Sequence, residues 1–201
     1  MTVSQRKGNQ SLDKKERIVR AAIDVFRKQG IEKTKISDIV KVAGIAQGTF
    51  YLYFPSKLSL MPAIAEVMVA KTLEIVTDKV SDDAPFPKRM EQLVDAIFEV
   101  SEEYHEIQAL IYSGLASTEH LKDWETVYAP FYKWVSEGLQ QAIGEGAIRN
   151  SVNPDRTARL VIGLVESAAE QIYLYDTDKE DEAVIQKNEV KNFLKHALAI
   201  K

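Results

Sequence analysis

Apolar residues recur at intervals of three and four along this chain, and no stretch alternates apolar with polar as a half-buried strand does. Such a chain can only build helices and pack their stripes together, so the expected fold class is all-α. Ile18, Val19, Ala22, Ile23, Val25 and Phe26 share one face of a first helix, with Asp13 and Glu16 spaced to cap its start and Gly30 to stop it. Residues 1–12 lack periodicity and read as a disordered arm. Ile36, Ile39, Val40 and Ala43 form the stripe of a short second helix, capped by Thr34 or Ser37 and ended by Gly44. A third runs from about Ala46 to Phe54 and closes at Pro55. Two short helices around a Gly-containing turn make a helix-turn-helix.

Breaks at 81–87, 114–118, 144–153 and 176–182 predict further helices at about 57–80, 87–103, 104–113, 119–143, 154–175 and 183–200. Asn153 and Pro154 suit the N-cap and first position of the helix at 154. The array totals about nine helices: a head at 13–57 and a helical body at 58–201.

Net charge is −4 overall, but residues 1–57 hold 12 Lys/Arg against 5 Asp/Glu, so the head is basic and the remainder acidic. Clustered cations suit a polyanion such as DNA, although a solvated basic helix accounts for the charge equally well. There is no cysteine, and His105, His120 and His196 are far apart, which excludes disulfides, thiolate chemistry and cysteine-ligated zinc. Nor is there a glycine-rich phosphate loop or a metal-spaced cluster, so neither catalysis nor a cofactor is expected. No apolar run is long enough for a membrane span and the start lacks a signal-peptide pattern, which places the expected protein in the cytoplasm.

Gly30 to Lys57 reads GIEKTKISDIVKVAGIAQGTFYLYFPSK, and with the first helix this segment resembles the TetR family of repressors. The resemblance implies a homodimer whose third helix enters the major groove of a double-stranded DNA operator. It also implies a body that binds a small-molecule effector and thereby alters the spacing of the two heads. Carried over by residue, Thr34 and Ser37 contact phosphates, Gly48 permits close approach, Thr49, Tyr51 and Tyr53 touch bases and backbone, and Lys57 binds a phosphate. At 100° per residue Gln47, Phe50 and Phe54 share a face, opposite Gly48 and Leu52. Two departures stand out: Ala46 replaces a frequent Ser or Thr, and Lys35 a frequent Thr. The candidate DNA surface is thus Thr34, Lys35, Ser37, Ala46, Gln47, Gly48, Thr49, Tyr51, Leu52, Tyr53 and Lys57.

In the body, Trp124, Tyr128, Phe131, Tyr132 and Trp134 crowd one helix, and about three of the five are expected to be packing residues. By resemblance the effector cavity lies among the fourth to eighth helices, with Tyr112, Trp124, Tyr128, Phe131, Glu166 and Tyr173 as candidate lining. The apolar stripes Val161, Val165, Ala168, Ile172 and Val190, Phe193, Leu194, Ala197 suit a four-helix seam between protomers. Control by a protein partner instead of a small molecule remains the alternative. Pro62 lies near the start of the helix joining head to body, as a pivot or a static bend.

Overall fold

A computed structural model describes residues 3–115, 121–174 and 180–201; for 3–13, 110, 112–115, 121–123 and 180 it describes the backbone alone. Among the described residues there are eight α-helices and no strand: α1 (Val3–Gln29), α2 (Ile36–Ala43), α3 (Gln47–Tyr51), α4 (Met61–Lys79), α5 (Phe86–Leu115), α6 (Leu121–Gly144), α7 (Pro154–Tyr173) and α8 (Glu180–Leu198). A 3₁₀ turn at Leu58–Leu60 precedes α4. Two compact units result, Met1–Val67 with Ala109–Asp123, and Met68–Gln108 with Trp124–Lys201.

In the first unit α1 packs on α2 and α2 on α3. Ile18, Phe26, Ile39 and Phe50 are essentially inaccessible, each such burial contributing about 1.5–3 kcal/mol. The helix ends follow glycine: Gly30 and Gly44 adopt φ of 75° and 64°, the left-handed region where a Cβ is strained. α1 corrects the expected arm and start near Asp13, for it is helical from Val3. Residues 3–12 are mostly tolerant of helix and contain no proline, so the missing apolar stripe does not mark a helix boundary.

The cap of α2 also departs from expectation. Its N-cap is Lys35, whose N–H is accepted by the Asp38 carboxylate at 2.9 Å, rather than Thr34 or Ser37. α3 stops at Tyr51, three residues early: Leu52 and Tyr53 donate to carbonyls three residues back, those of Thr49 and Phe50, and Pro55 bars Phe54 from the helical region. Ser56 and Ser59 then exchange backbone-to-hydroxyl bonds at 3.2 Å, starting the 3₁₀ turn. Pro62, second residue of α4, therefore sits where a first-turn N–H has no helical partner to lose, which favours the static bend.

In the second unit one core joins Val76, Leu93, Phe98, Phe131, Leu139, Ile162, Val165, Leu194 and Leu198 from α4 through α8. The two helices expected at 87–103 and 104–113 are one, α5, kinked at Tyr104 (φ −116°, ψ 16°), which explains eight helices against about nine. Asn153 caps α7 as expected, accepting from the Arg156 N–H at 3.0 Å, with Pro154 first in the helix. α6 continues through Pro130, which has no N–H for the Thr126 carbonyl four residues earlier; both residues are exposed, so water can take that place.

The dimer stripes need correction. Val161, Val165, Ala168, Val190 and Leu194 are all at most 5% exposed within the single chain, because α7 and α8 turn those faces onto their own core. Ile172 and Ala197 are partly buried, and of the eight only Phe193 is exposed, at 61%. Among the described residues no helix is long and apolar enough to cross a membrane.

Candidate nucleic-acid interface

The outer side of the helix-turn-helix is built by what α3 does not bury. Phe50 and Phe54 point inward, leaving Gln47, Gly48, Tyr51 and Leu52 exposed and Thr49 and Tyr53 half-buried. Leu52 is 82% exposed, so this face presents an apolar side chain to solvent. Gln47 is exposed although it was expected to share the face of Phe50 and Phe54. Ala46 caps α3 with no side-chain bond, as the loss of a hydroxyl there implies.

Gly48 is the informative position. A Cβ built there meets nothing within 4 Å, and φ is not positive, so neither crowding nor backbone conformation in this chain calls for glycine. Glycine there leaves the middle of the exposed α3 face without a side chain.

At the entry of α2, Lys35 and Ser37 are exposed, whereas Thr34 is 3% exposed. The Thr34 hydroxyl donates to the Gly30 carbonyl at 2.7 Å and accepts from the Gln29 amide at 3.3 Å. In the chain alone the hydroxyl is engaged in the turn instead of facing outward. Gln29 also donates to Asp38 at 3.2 Å, and Asp38 is held below the ordinary carboxylate pKa, chiefly by the Lys35 N–H. The Lys57 ammonium donates to the carbonyls of Ile31 at 2.5 Å and Thr34 at 2.9 Å. Arg17 and Asp38 were missed from sequence: Asp38 three residues after Lys35 is a readable cap signal, while nothing marks Arg17, which bonds the Ala43 carbonyl.

The sensor candidates divide. Trp124, Tyr128 and Glu166 come together, with rings 4.7 Å apart and the Tyr128 hydroxyl donating to the Glu166 carboxylate at 3.1 Å. Desolvation pushes the Glu166 pKa up to about 8; the Tyr128 bond opposes this and Glu170 adds to it. Phe131 is wholly buried in the core, and Tyr173 packs edge-on to Phe98 at 6.3 Å. The Tyr112 side chain lies outside the described residues. Tyr128 and Phe131 are buried and Trp124, Tyr132 and Trp134 partly so, all packed in or against the core.

Two cavities flank α6, and none of the five candidates with described side chains lines either. One, of about 20 Å³ beside Trp134 and Gly138, has room for about a single water. The other is an open groove of about 460 Å³ between α6 and α7, walled by Tyr132, Lys133, Ser136, Asp155 and Arg159. Arg159 there stacks 4.4 Å over Tyr132 and pairs with Glu125. Among the described residues no group of acidic or histidine side chains is placed to hold a metal.

Known proteins agree with this geometry. Residues 18–64 match the family model of bacterial regulatory proteins, tetR family, and 90–198 that of the tetracyclin repressor-like C-terminal domain. The HTH-type transcriptional regulator YvdT of Bacillus subtilis is 40% identical over 189 residues, 94% of this chain and 97% of its own. The fatty acid degradation regulator FadR of Bacillus halodurans superposes with a TM-score of 0.72 at 20% identity, covering 94% of this chain and 97% of that one. FadR of Bacillus subtilis, solved with stearoyl-CoA, gives 0.70 at 19% identity over 89% and 96%. With both domains matched in order, the chain belongs to the TetR family of DNA-binding transcriptional regulators.

Proposed function

We propose that this regulator is a ligand-responsive repressor that occupies a near-palindromic operator as a homodimer, in the cytoplasm. The observation that carries the DNA half is the exposed α3 surface of Gln47, Gly48, Tyr51 and Leu52, with a glycine that the chain itself does not require. Lys35 and Ser37 flank it as phosphate contacts, and Thr49 and Tyr53 complete the surface. Two such surfaces related by a two-fold axis read half-sites spaced by about one helical turn.

The dimer face is the outer side of α7 and α8. Gln171 and Gln186 meet at 3.1 Å across these antiparallel helices, and Leu164 and Phe193 lie seven residues further along each. With Leu160, 70% exposed, they form an apolar strip beside the small residues Gly163 and Ser167. An isologous seam buries that strip against its own copy.

The effector site centres on Trp124, Tyr128 and Glu166, where a polar pair faces aromatic rings. The fatty-acid regulators that share the fold make long-chain acyl-CoA the first effector class to test, and its entry requires the interior beside α6 to open. An effector lowers operator occupancy only by the ratio of its affinities for the two head spacings.

The test is selection from random duplexes of about 30 base pairs, long enough for two half-sites, repeated with stearoyl-CoA. Recovery of two-fold-symmetric sequences released by stearoyl-CoA is expected. Asymmetric sites would overturn the dimeric reading, and release by neither acyl-CoA nor other small molecules would favour a protein partner.

A further inference from the structure

Lys57 stands where the family resemblance places a phosphate-binding lysine, yet its ammonium is turned onto the protein. Its two acceptors, the Ile31 and Thr34 carbonyls, are 26 and 23 residues earlier, in the turn between Gly30 and α2. That turn is otherwise held by local bonds: the Thr34 N–H to the Ile31 carbonyl at 3.2 Å, the Thr34 hydroxyl to Gly30, and the Gln29 amide to Asp38. Lys57 comes to it from the other side of the motif, six residues after the end of α3 and just ahead of the Leu58–Leu60 turn. One ammonium thus fastens the entry of α2 to the exit of α3.

We propose that Lys57 is a positioning residue for DNA recognition, fixing the α2 entry relative to α3 rather than neutralising a phosphate. The proposal rests on the DNA-binding reading above. Base-edge contacts tolerate errors of only about 0.5 Å in the groups that make them, so a turn that drifts weakens recognition without removing a contact. The two roles differ in their salt dependence. A lysine that meets a phosphate releases condensed counterions and contributes about 0.9 to the slope of log K against log salt. A lysine bonded to the same carbonyls before and after binding contributes nothing to it.

Lys57→Met keeps the aliphatic stem and removes the ammonium. The probe is a duplex that the unmodified protein recovers from a random pool, titrated across a range of potassium chloride. Affinity is expected to fall about tenfold or more at every salt concentration with an unchanged slope, the loss of charge-assisted bonds having that magnitude. In the free protein, amide hydrogens of residues 31–37 should exchange faster. Lys57→Gln, which keeps a donor without charge, should recover part of the affinity at the same slope, and it decides the question if the Met variant does not fold. A slope shallower by about 0.9 with unchanged exchange would make Lys57 a phosphate ligand and overturn the proposal. Unchanged affinity would overturn it as well. If the unmodified protein recovers no duplex, the DNA-binding reading fails and the positioning role with it, while the exchange measurement still shows whether the tie exists.

Discussion

Arg17 of α1 donates to the Ala43 carbonyl at 2.5 Å and the Gly44 carbonyl at 3.3 Å, closing the end of α2 where the last carbonyls have no helical partner. Gly44 itself sits at φ 64°, and a Cβ there would come 3.1 Å from the Arg17 guanidinium. Arg17→Ala should therefore destabilise the head by about 1 kcal/mol, the arginine being largely solvent-exposed. Gly44→Ala should cost about 1–2 kcal/mol through left-handed strain. The double variant should lose less than the sum, because both changes disturb the same cap. Urea denaturation of the four proteins measures this, and strict additivity would show that the cap and the glycine act independently.

Gly48→Ala separates folding from recognition. With nothing within 4 Å of the new Cβ and a helical position, the variant should be as stable as the parent or up to about 1 kcal/mol more so. Its affinity for selected duplexes should fall, since the methyl stands where the groove must approach. A stable variant that binds DNA undiminished would remove Gly48 from the interface.

Glu166 makes stability depend on pH in a direction opposite to an ordinary salt-bridged carboxylate. Its folded-state pKa, pushed up to about 8, lies above the ordinary value of 4.5 that it regains on unfolding. Between those limits the folded state holds a proton that the unfolded state has released, so stability falls as pH rises. The contribution is complete below about 4.5, declines by at most about 1.4 kcal/mol per pH unit, and is gone above about 8. Glu166→Gln keeps a neutral acceptor for the Tyr128 hydroxyl and should flatten the profile, leaving the variant more stable than the parent at the alkaline end. Thermal melts across that range check this; parallel profiles for the two proteins would show that Glu166 is ionised in the folded state.

The helix-turn-helix was legible because Phe50 and Phe54 sit at helical spacing with Pro55 behind them, and because glycine at 30 and 44 marks left-handed stops. The Lys57 tie was not, since a bond spanning 23 to 26 residues leaves no local pattern. The start of α1 was hidden for a different reason: periodicity reports burial, and a polar segment can be helical without burying a face. The stripes of α7 and α8 were read correctly as apolar, but apart from Phe193 their residues are buried or partly buried within the single chain. Val165 and Leu194 have the spacing that either a protomer core or an intermolecular seam requires, and only the three-dimensional packing of α7 on α8 distinguishes the two.

That ambiguity yields the prediction that separates core from seam. Leu194 is 3% exposed inside the chain, so Leu194→Glu buries a carboxylate with no partner and should unfold the body, at a cost of several kcal/mol. Phe193, its neighbour, is 61% exposed and points off the core, so Phe193→Glu should leave the melting transition close to that of the parent. If the strip of Leu160, Leu164 and Phe193 is the seam, the same change sets two like charges near a two-fold axis, where each meets its own copy. Sedimentation should then report a folded monomer, and affinity for two-half-site duplexes should drop far more than affinity for a single half-site. A Phe193→Glu protein that stays dimeric would move the seam off this face, whereas a Leu194→Glu protein that stays folded would contradict the packing of α8 on the core.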